Sequence, residues 1–420
     1  MAERNNTSRR ALLAAAAGGV VAATGAKAQG AAQVPDRAIT ELPDWSRMLG
    51  DGVADRPYGK PSKFEAHVVR RDVEWLTASR QSSVNFTPLH ELDGIITPSG
   101  LCFERHHGGV AEIDPKHYRL MINGLVDKEM VFTIEDLKRF PRVNRVHFLE
   151  CAANSGMEWR GSQLNGCQFT HGMVHNVMYT GVRLKHLLDE AGVKTNAKWV
   201  MAEGADASAM NRSIPMEKAL EDCIVAWRMN GEMLRPEQGY PARLVVPGWE
   251  GNMWVKWLRR LKVTDMAHLA REETSKYTDL MSDGRSRRFT FIMDCKSVVT
   301  NPSPQAPMVA RGQNVISGLA WSGRGTVTRV DVTLDGGRNW QEARLDGPVL
   351  NQSLTRFYVD FAWDGREMMI QSRAHDSTGY VQPTKDELRK VRGVNNIYHN
   401  NGIQTWLVRP NGETENVEIA

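Results

Sequence analysis

A thiolate that binds a soft metal or attacks a substrate needs rigid backbone behind it and open space in front. Cys151 has that setting in the sequence. Val143, Val146 and Phe148 mark a strand running into it, and Ala152–Gly156 is a small, turn-prone stretch directly after it. The alternative is a buried cysteine serving as a small apolar residue. Arg105, His106 and His107, followed by Gly108 and Gly109, put three cation-capable side chains on a flexible backbone, which suits an anion; a solvated basic loop would have the same composition. Arg243 and Lys256 are single cations among Leu, Val and Trp within Gly239–Val263. A cation buried there must find an anion, and a phosphate would serve. His171 and His175 stand four apart, as two zinc ligands on a helix face would, but no Glu follows His171 in the HExxH manner, and Gly172, Val174 and Val177 argue against the helix.

Several elements must position these groups. Tyr118–Gly124 alternates as a strand. Thr133, with Asp136 three residues on, reads as a capped helix start that Pro141 stops. Thr180–Ala191 carries Leu184, Leu187, Leu188 and Ala191 at helical spacing, with Gly192 as its stop. Two apolar strands flank Pro247-Gly248 and Gly251, and Arg259, Arg260 and Lys262 fit an edge strand with basic residues facing solvent. Beyond about residue 285 the pattern changes to short alternating strands: Asn314–Trp321, Thr326–Leu334, the turn Asp335-Gly336-Gly337, Arg356–Trp363 and Glu367–Ala374. Such spacing predicts an immunoglobulin-like β-sandwich without long helices.

With 420 residues, 41% hydrophobic and 24% charged, the chain has the composition of a globular protein of two or three domains. The net charge is +4, of which residues 1–28 carry +3, so no general nucleic-acid surface is indicated. Five scattered cysteines form no CxxC and no haem-attachment CxxCH. The opening, Asn5-Asn6-Thr7-Ser8-Arg9-Arg10, then uncharged Ala11–Thr24 and Ala26-Lys27-Ala28, reads as an export signal of twin-arginine type, which carries folded proteins to the periplasm. Its apolar run is too short for a good membrane span. Domain boundaries are expected at 1–28 for the signal, 29–85 for an N-terminal arm, 86–285 for a mixed α+β catalytic domain and 286–420 for the sandwich.

Taken in order, these stretches resemble the sulfite oxidase family of molybdenum enzymes over roughly Phe103 to Arg409. The resemblance rests on Arg105-His106-His107, Cys151-Ala152-Ala153-Asn154, Trp227-Arg228-Met229-Asn230-Gly231, Gly239-Tyr240-Pro241-Ala242-Arg243, Val255-Lys256-Trp257-Leu258 and Val330-Asp331-Val332 with Asp335-Gly336-Gly337. It implies an α+β molybdopterin-binding domain followed by an immunoglobulin-like dimerisation domain, hence a homodimer. It also implies a molybdopterin cofactor whose metal takes one protein thiolate, and Cys151 matches that ligand. His107, Arg243 and Lys256 match positions that bind the pterin and its phosphate. Tyr277 matches a tyrosine beside the metal, able to pass a proton, and Arg105 the arginine facing the substrate oxyanion. Arg356 is the match for a second substrate arginine, and Phe169 stands where the family has a pocket Trp.

The sequence departs from the sulfite-oxidising pattern at four places. Gly156 replaces an arginine after the cysteine turn, Phe169 the Trp, Gln238 a His and Met253 an Arg. Losing cations argues for a longer substrate than a small dianion. Within the family the pattern looks like the molybdenum subunits that oxidise a sulfane sulfur held on a carrier-protein cysteine, take oxygen from water and pass electrons to a c-type cytochrome; a sulfite:cytochrome c dehydrogenase is the alternative.

Overall fold

Leu120 and Ile122 alternate with Met121, and β1 (Leu120–Gly124) accordingly buries the first two completely. The computed structural model describes residues 47–49, 53, 61–308 and 310–419, so the expected export signal and about half of the expected arm lie outside the described residues. β2 (Met130–Phe132) pairs back on β1. α1 (Ile134–Lys138) begins at a closed capping box: Thr133 Oγ1 accepts from the Asp136 amide at 3.1 Å, and the Asp136 carboxylate accepts from the Thr133 amide at 2.9 Å. β3 (Arg142–Glu150) then runs to Cys151. After α2 (Cys167–His171), the strand β4 (Val174–Arg183) is buried at nearly every position and pairs on both sides.

That burial explains where the sequence reading slips. Thr180–Arg183 belong to the end of β4, so the helix expected from Thr180 begins at Leu184 (α3, Leu184–Ala191); it buries the four expected apolar residues and stops at Gly192 in the left-handed region. His171 ends α2 while His175 lies in β4, so the two histidines share no helix. β5 (Trp199–Gly204), β6 (Asn211–Pro215), α4 (Met216–Glu221), β7 (Ile224–Met229), β8 (Glu232–Met233), β9 (Arg243–Val245) and β10 (Leu258–Thr264) follow. One antiparallel sheet runs β8-β7-β4-β3, with β9 also paired to β7; a second runs β2-β1-β10-β5-β6, parallel only between β1 and β10. β10 is therefore central, against the edge strand expected. Arg259 and Arg260 are tolerated there because both donate to Glu203 on β5, each at 2.6 Å.

The C-terminal part is the expected sandwich. One sheet runs β11 (Lys296–Asn301), β12 (Gly312–Trp321), β16 (Thr355–Trp363) and β15 (Arg344–Asp346). The other runs β14 (Gln341–Glu342), β13 (Val327–Thr333), β17 (Met368–Asp376), β18 (Thr405–Val408) and β19 (Thr414–Val417). The Trp406 indole of the second sheet donates to Val299 O of the first at 2.9 Å. One helix the sequence reading omitted, α5 (Lys385–Arg392), sits between β17 and β18 behind a Thr384/Glu387 capping box. The sandwich core does not close on itself. Phe148, Cys167 and Val174 from the preceding part join its buried cluster, and residues 53–420 form one compact unit. Among the described residues no helix is long and apolar enough to cross a membrane.

Candidate active site

Cys151 leaves β3 at the point where the strand becomes fully buried, and its amide donates to Met173 O at 2.9 Å. The turn after it is pinned by Asn154, whose amide donates to Cys151 O at 2.9 Å and whose Oδ1 accepts from the Met173 amide at 3.1 Å. Cys151 is 8% exposed and lines a cavity. Burial raises its pKa, opposed in part by the Ala153 backbone amide and then by the Arg105 guanidinium.

The structure brings six of the expected site residues to that one cavity: Arg105, His107, Cys151, Arg243, Lys256 and Tyr277. Arg105 and His107 come from the loop before β1, whose backbone is held when His106 N donates to Ser83 O at 3.0 Å. His107 Nε2 lies 2.8 Å from the Tyr277 hydroxyl. Burial, with Arg105 and Arg271 nearby, lowers the His107 pKa to about 3, so the imidazole is neutral. Burial pushes the Tyr277 phenol up, and the residue adopts φ of 53°, a left-handed backbone held at functional sites only by its surroundings.

The cations are arranged to receive charge. Lys256 Nζ donates to Arg105 O at 3.2 Å and Glu237 O at 3.0 Å and lies 2.8 Å from His106 Nδ1. His106 Nε2 in turn meets Glu104 at 2.8 Å. Burial alone would raise Glu104, but the His106 bond and Arg70 hold it at about 2. Arg243 is 2% exposed and donates to Gln238 O and Trp254 O, both at 3.1 Å. Its Nε has no partner among the described residues, and neither has His175 Nδ1 on the cavity wall. Buried polar atoms left without partners on residues that line a cavity are expensive unless something binds there.

Burial and then Arg243 lower the Lys256 ammonium from 10.5 to about 7. Between those values the unfolded chain holds a proton that the folded chain does not, so this contribution to stability is full above 10.5 and is lost as pH falls towards 7. In protein lacking any bound anion, the melting temperature is expected to rise between about pH 7 and about pH 9.5. Lys256→Met should flatten that rise; an equal slope in the variant would refute the assignment.

A second cleft shares Arg105 and Cys151 with the first and is lined by Phe86, Met157, Phe169, Met173 and Ile397. Phe169 therefore sits on the approach to Cys151, stacked edge-on against Phe86 at 5.8 Å. Gly156 lies here too, packed so tightly that a Cβ would meet Ile397 O at 2.3 Å. Gln238 supports the cavity by donating to Phe103 O at 3.0 Å, and Met253 is wholly buried.

Arg356 is placed elsewhere, and the expectation that it binds substrate is corrected. It is 1% exposed on β16, donating to Gly94 O at 3.1 Å, Leu92 O at 2.6 Å and Thr300 Oγ1 at 3.2 Å, and lines neither cleft. Its role is to tie the Leu92–Gly94 loop to the sandwich. Sequence reasoning missed a buried set behind the cavity wall. Arg212 donates to Glu250 Oε1 at 3.0 Å, Asn252 donates to Glu250 Oε2 at 2.7 Å, and His399 Nε2 lies 3.3 Å from Glu250. The Arg212 guanidinium also stacks over the Tyr277 ring at 5.6 Å. Lone polar residues in segments far apart in the chain give no periodic signal, so nothing in the sequence links them.

These residues fit an anionic cofactor with a soft metal. Arg243 with its free Nε and Lys256 suit a phosphate, and Cys151 supplies one thiolate. Among the described residues no group of three or more His, Cys, Asp or Glu could hold a bare ion, so a metal at Cys151 would need donors from its own cofactor.

Comparison with known proteins agrees. Residues 107–272 match the family model for the oxidoreductase molybdopterin binding domain, and residues 287–406 that for the Mo-co oxidoreductase dimerisation domain. Mitochondrial sulfite oxidase of Mus musculus is 31% identical over 78% of this chain, which spans 65% of that protein's length. Sulfite oxidase of Gallus gallus is 32% identical over 76% of this chain and 75% of its own. A chain in the crystal structure of the sulfane dehydrogenase SoxCD from Paracoccus pantotrophus is 63% identical, with a TM-score of 0.91 over 92% of this chain and 100% of that one. With both family domains in order and relatives at this identity over most of their length, the chain belongs to the sulfite oxidase family of molybdopterin oxidoreductases.

Proposed function

We propose that the chain is the molybdenum-bearing component of a sulfane dehydrogenase. Its substrate is a sulfane sulfur attached to a carrier-protein cysteine. Each oxygen added from water releases two electrons and two protons, and the electrons pass to a c-type cytochrome subunit, since the sequence holds no haem-attachment motif. The molybdopterin supplies the two-electron, oxygen-transfer chemistry when bound. The chain's own residues bind and orient: Cys151 as the metal's thiolate ligand, and His107, Arg243 and Lys256 as the pterin and phosphate contacts. Arg105 holds the anionic end of the substrate beside Cys151. The neutral His107–Tyr277 pair, 2.8 Å apart, fixes the phenol hydroxyl at the cavity, where it keeps its proton and can hydrogen-bond an oxygen of the substrate. Phe169 forms the apolar approach. The protein works in the periplasm, exported folded by the twin-arginine route, as a homodimer through its sandwich.

The observation that carries this reading is the cleft beside Cys151, whose lining is largely apolar, with Met157, Phe169, Met173 and Ile397, and includes Arg105 as its cation. A free dianion gains little from such a wall, whereas a sulfur on a protein arm buries its neighbouring atoms against it. The likeness to the sulfane dehydrogenase over the whole of that chain supports the same substrate class.

The test uses loaded protein purified with its cytochrome, following the reduced haem band on adding sulfite and then a carrier bearing a cysteine persulfide. Reduction by the carrier with little by sulfite is expected. Rapid reduction by sulfite alone would make the protein a sulfite dehydrogenase.

A further inference from the structure

Behind Cys151 lies a buried polar group that neither cleft uses. Glu150, the residue before it, is 0% exposed, and its carboxylate receives three donors. Lys296 Nζ donates to Oε1 at 3.0 Å, Asn154 Nδ2 to the same oxygen at 2.9 Å, and the Trp321 indole to Oε2 at 2.7 Å. Lys296 also donates to Asn154 O at 3.3 Å. Lys296 and Trp321 belong to β11 and β12 of the sandwich, where they face each other in the ladder. Two further sandwich contacts reach the same turn: the His399 amide donates to Ala152 O at 2.8 Å, and Asn400 Nδ2 to Ser155 O at 3.1 Å.

A buried carboxylate with this many donors has one geometry, because every alternative leaves a charged or polar atom unpaired. Glu150 is bonded through the backbone to Cys151, and Asn154 holds the Cys151 carbonyl. The direction of the thiol is therefore coupled to both. We infer that the C-terminal sandwich aims the Cys151 thiol, with Lys296 and Trp321 acting through Glu150 and Asn154 as positioning residues. The sandwich is then part of the metal-binding apparatus as well as a partner surface, and release of its inner sheet would disorder the ligand. Its bearing on the metal rests on the reading of Cys151 as ligand; the effect on the thiol itself does not.

The experiment uses the full chain, with and without cofactor. Trp321→Phe removes one donor to Glu150 together with part of the buried ring volume, a loss that the Trp406→Phe control shares, and Lys296→Met removes the charge. Trp406→Phe is the control, since that indole makes an equivalent buried bond, at 2.9 Å to Val299 O, on the far side of the sandwich core. In cofactor-free protein the alkylation rate of Cys151 by iodoacetamide is read by peptide mass; in loaded protein, molybdenum retained after gel filtration. Outer partners of metal ligands typically matter by roughly 10–100-fold. Trp321→Phe and Lys296→Met are expected to change both readouts by about ten-fold or more, and Trp406→Phe neither. If Lys296→Met does not fold, Trp321→Phe decides. Equal effects of the two tryptophan variants, or a wild-type alkylation rate in Trp321→Phe, would overturn the proposal. Altered alkylation with unchanged molybdenum retention would leave the aiming intact and count against Cys151 as ligand.

Discussion

Cys151→Ser is expected to fold as the parent does and to lose turnover by more than the roughly 10–100-fold that changes around a metal ligand cost. The substitution exchanges sulfur for oxygen at almost constant shape. The backbone bonds that build the turn, Cys151 N to Met173 O and Asn154 N to Cys151 O, both at 2.9 Å, do not involve the side chain and survive it. A soft metal, however, binds a hydroxyl far less well than a thiolate, and the other four cysteines are buried too deeply to replace it: Cys102, Cys167 and Cys295 are 0% exposed and Cys223 is 1%. Circular dichroism and the melting temperature report the fold, molybdenum analysis the ligand, and steady-state kinetics the loss. Parental rates in the variant would remove Cys151 from the mechanism.

Gly156→Arg has the second largest expected effect, and the structure reverses the intuition the sequence encourages. Placing an arginine where the resemblance to sulfite-oxidising members leads one to expect it suggests a simple exchange of substrate preference. The backbone forbids it here. A Cβ at Gly156 would sit 2.3 Å from Ile397 O. The Ile397 loop cannot easily retreat: Asn396 Nδ2 donates to Asp279 at 2.9 Å, and the next residues hold Ala152 O and Ser155 O at 2.8 and 3.1 Å. Overpacking of this kind costs about 1–3 kcal/mol. It would also move Tyr398, whose ring lies 5.2 Å from that of Tyr277. The variant should be less stable, less active on a persulfide carrier and no better on sulfite. Gly156→Ala separates the causes, since it has the clash without the charge and should be destabilised as well. A stable Gly156→Arg protein with raised sulfite turnover would show that the cation alone selects the substrate.

Local devices were readable because their physics is local. The Thr133 capping box and the Leu184–Ala191 stripe with its Gly192 stop involve residues within one or two turns of each other. In Asp335-Gly336-Gly337 the Asp335 carboxylate accepts from the Arg338 and Asn339 amides at 3.0 and 2.9 Å. The Thr384/Glu387 box of α5 carried the same kind of signal and was passed over among strands. The cavity residues were legible for another reason. Arg243 and Lys256 are conspicuous as cations in apolar surroundings, and among the described residues Arg243 is buried with carbonyl partners and no ion pair.

Residue type and spacing thus determined by themselves the capped helices, the alternating strands of the sandwich, the thiol at the end of β3 and the cations assigned to the cavity. Only the tertiary structure decided which of several arginines line the cavity. Arg356 spends its donors on Leu92, Gly94 and Thr300, and Arg259 and Arg260 spend theirs on Glu203. It alone also joined Glu150 to Lys296, 146 positions apart, and set Ile397 against Gly156. An arginine looks the same in sequence whether its partner is a carbonyl, a carboxylate or a substrate. Which it meets depends on contacts between segments far apart in the chain, and no local pattern encodes them.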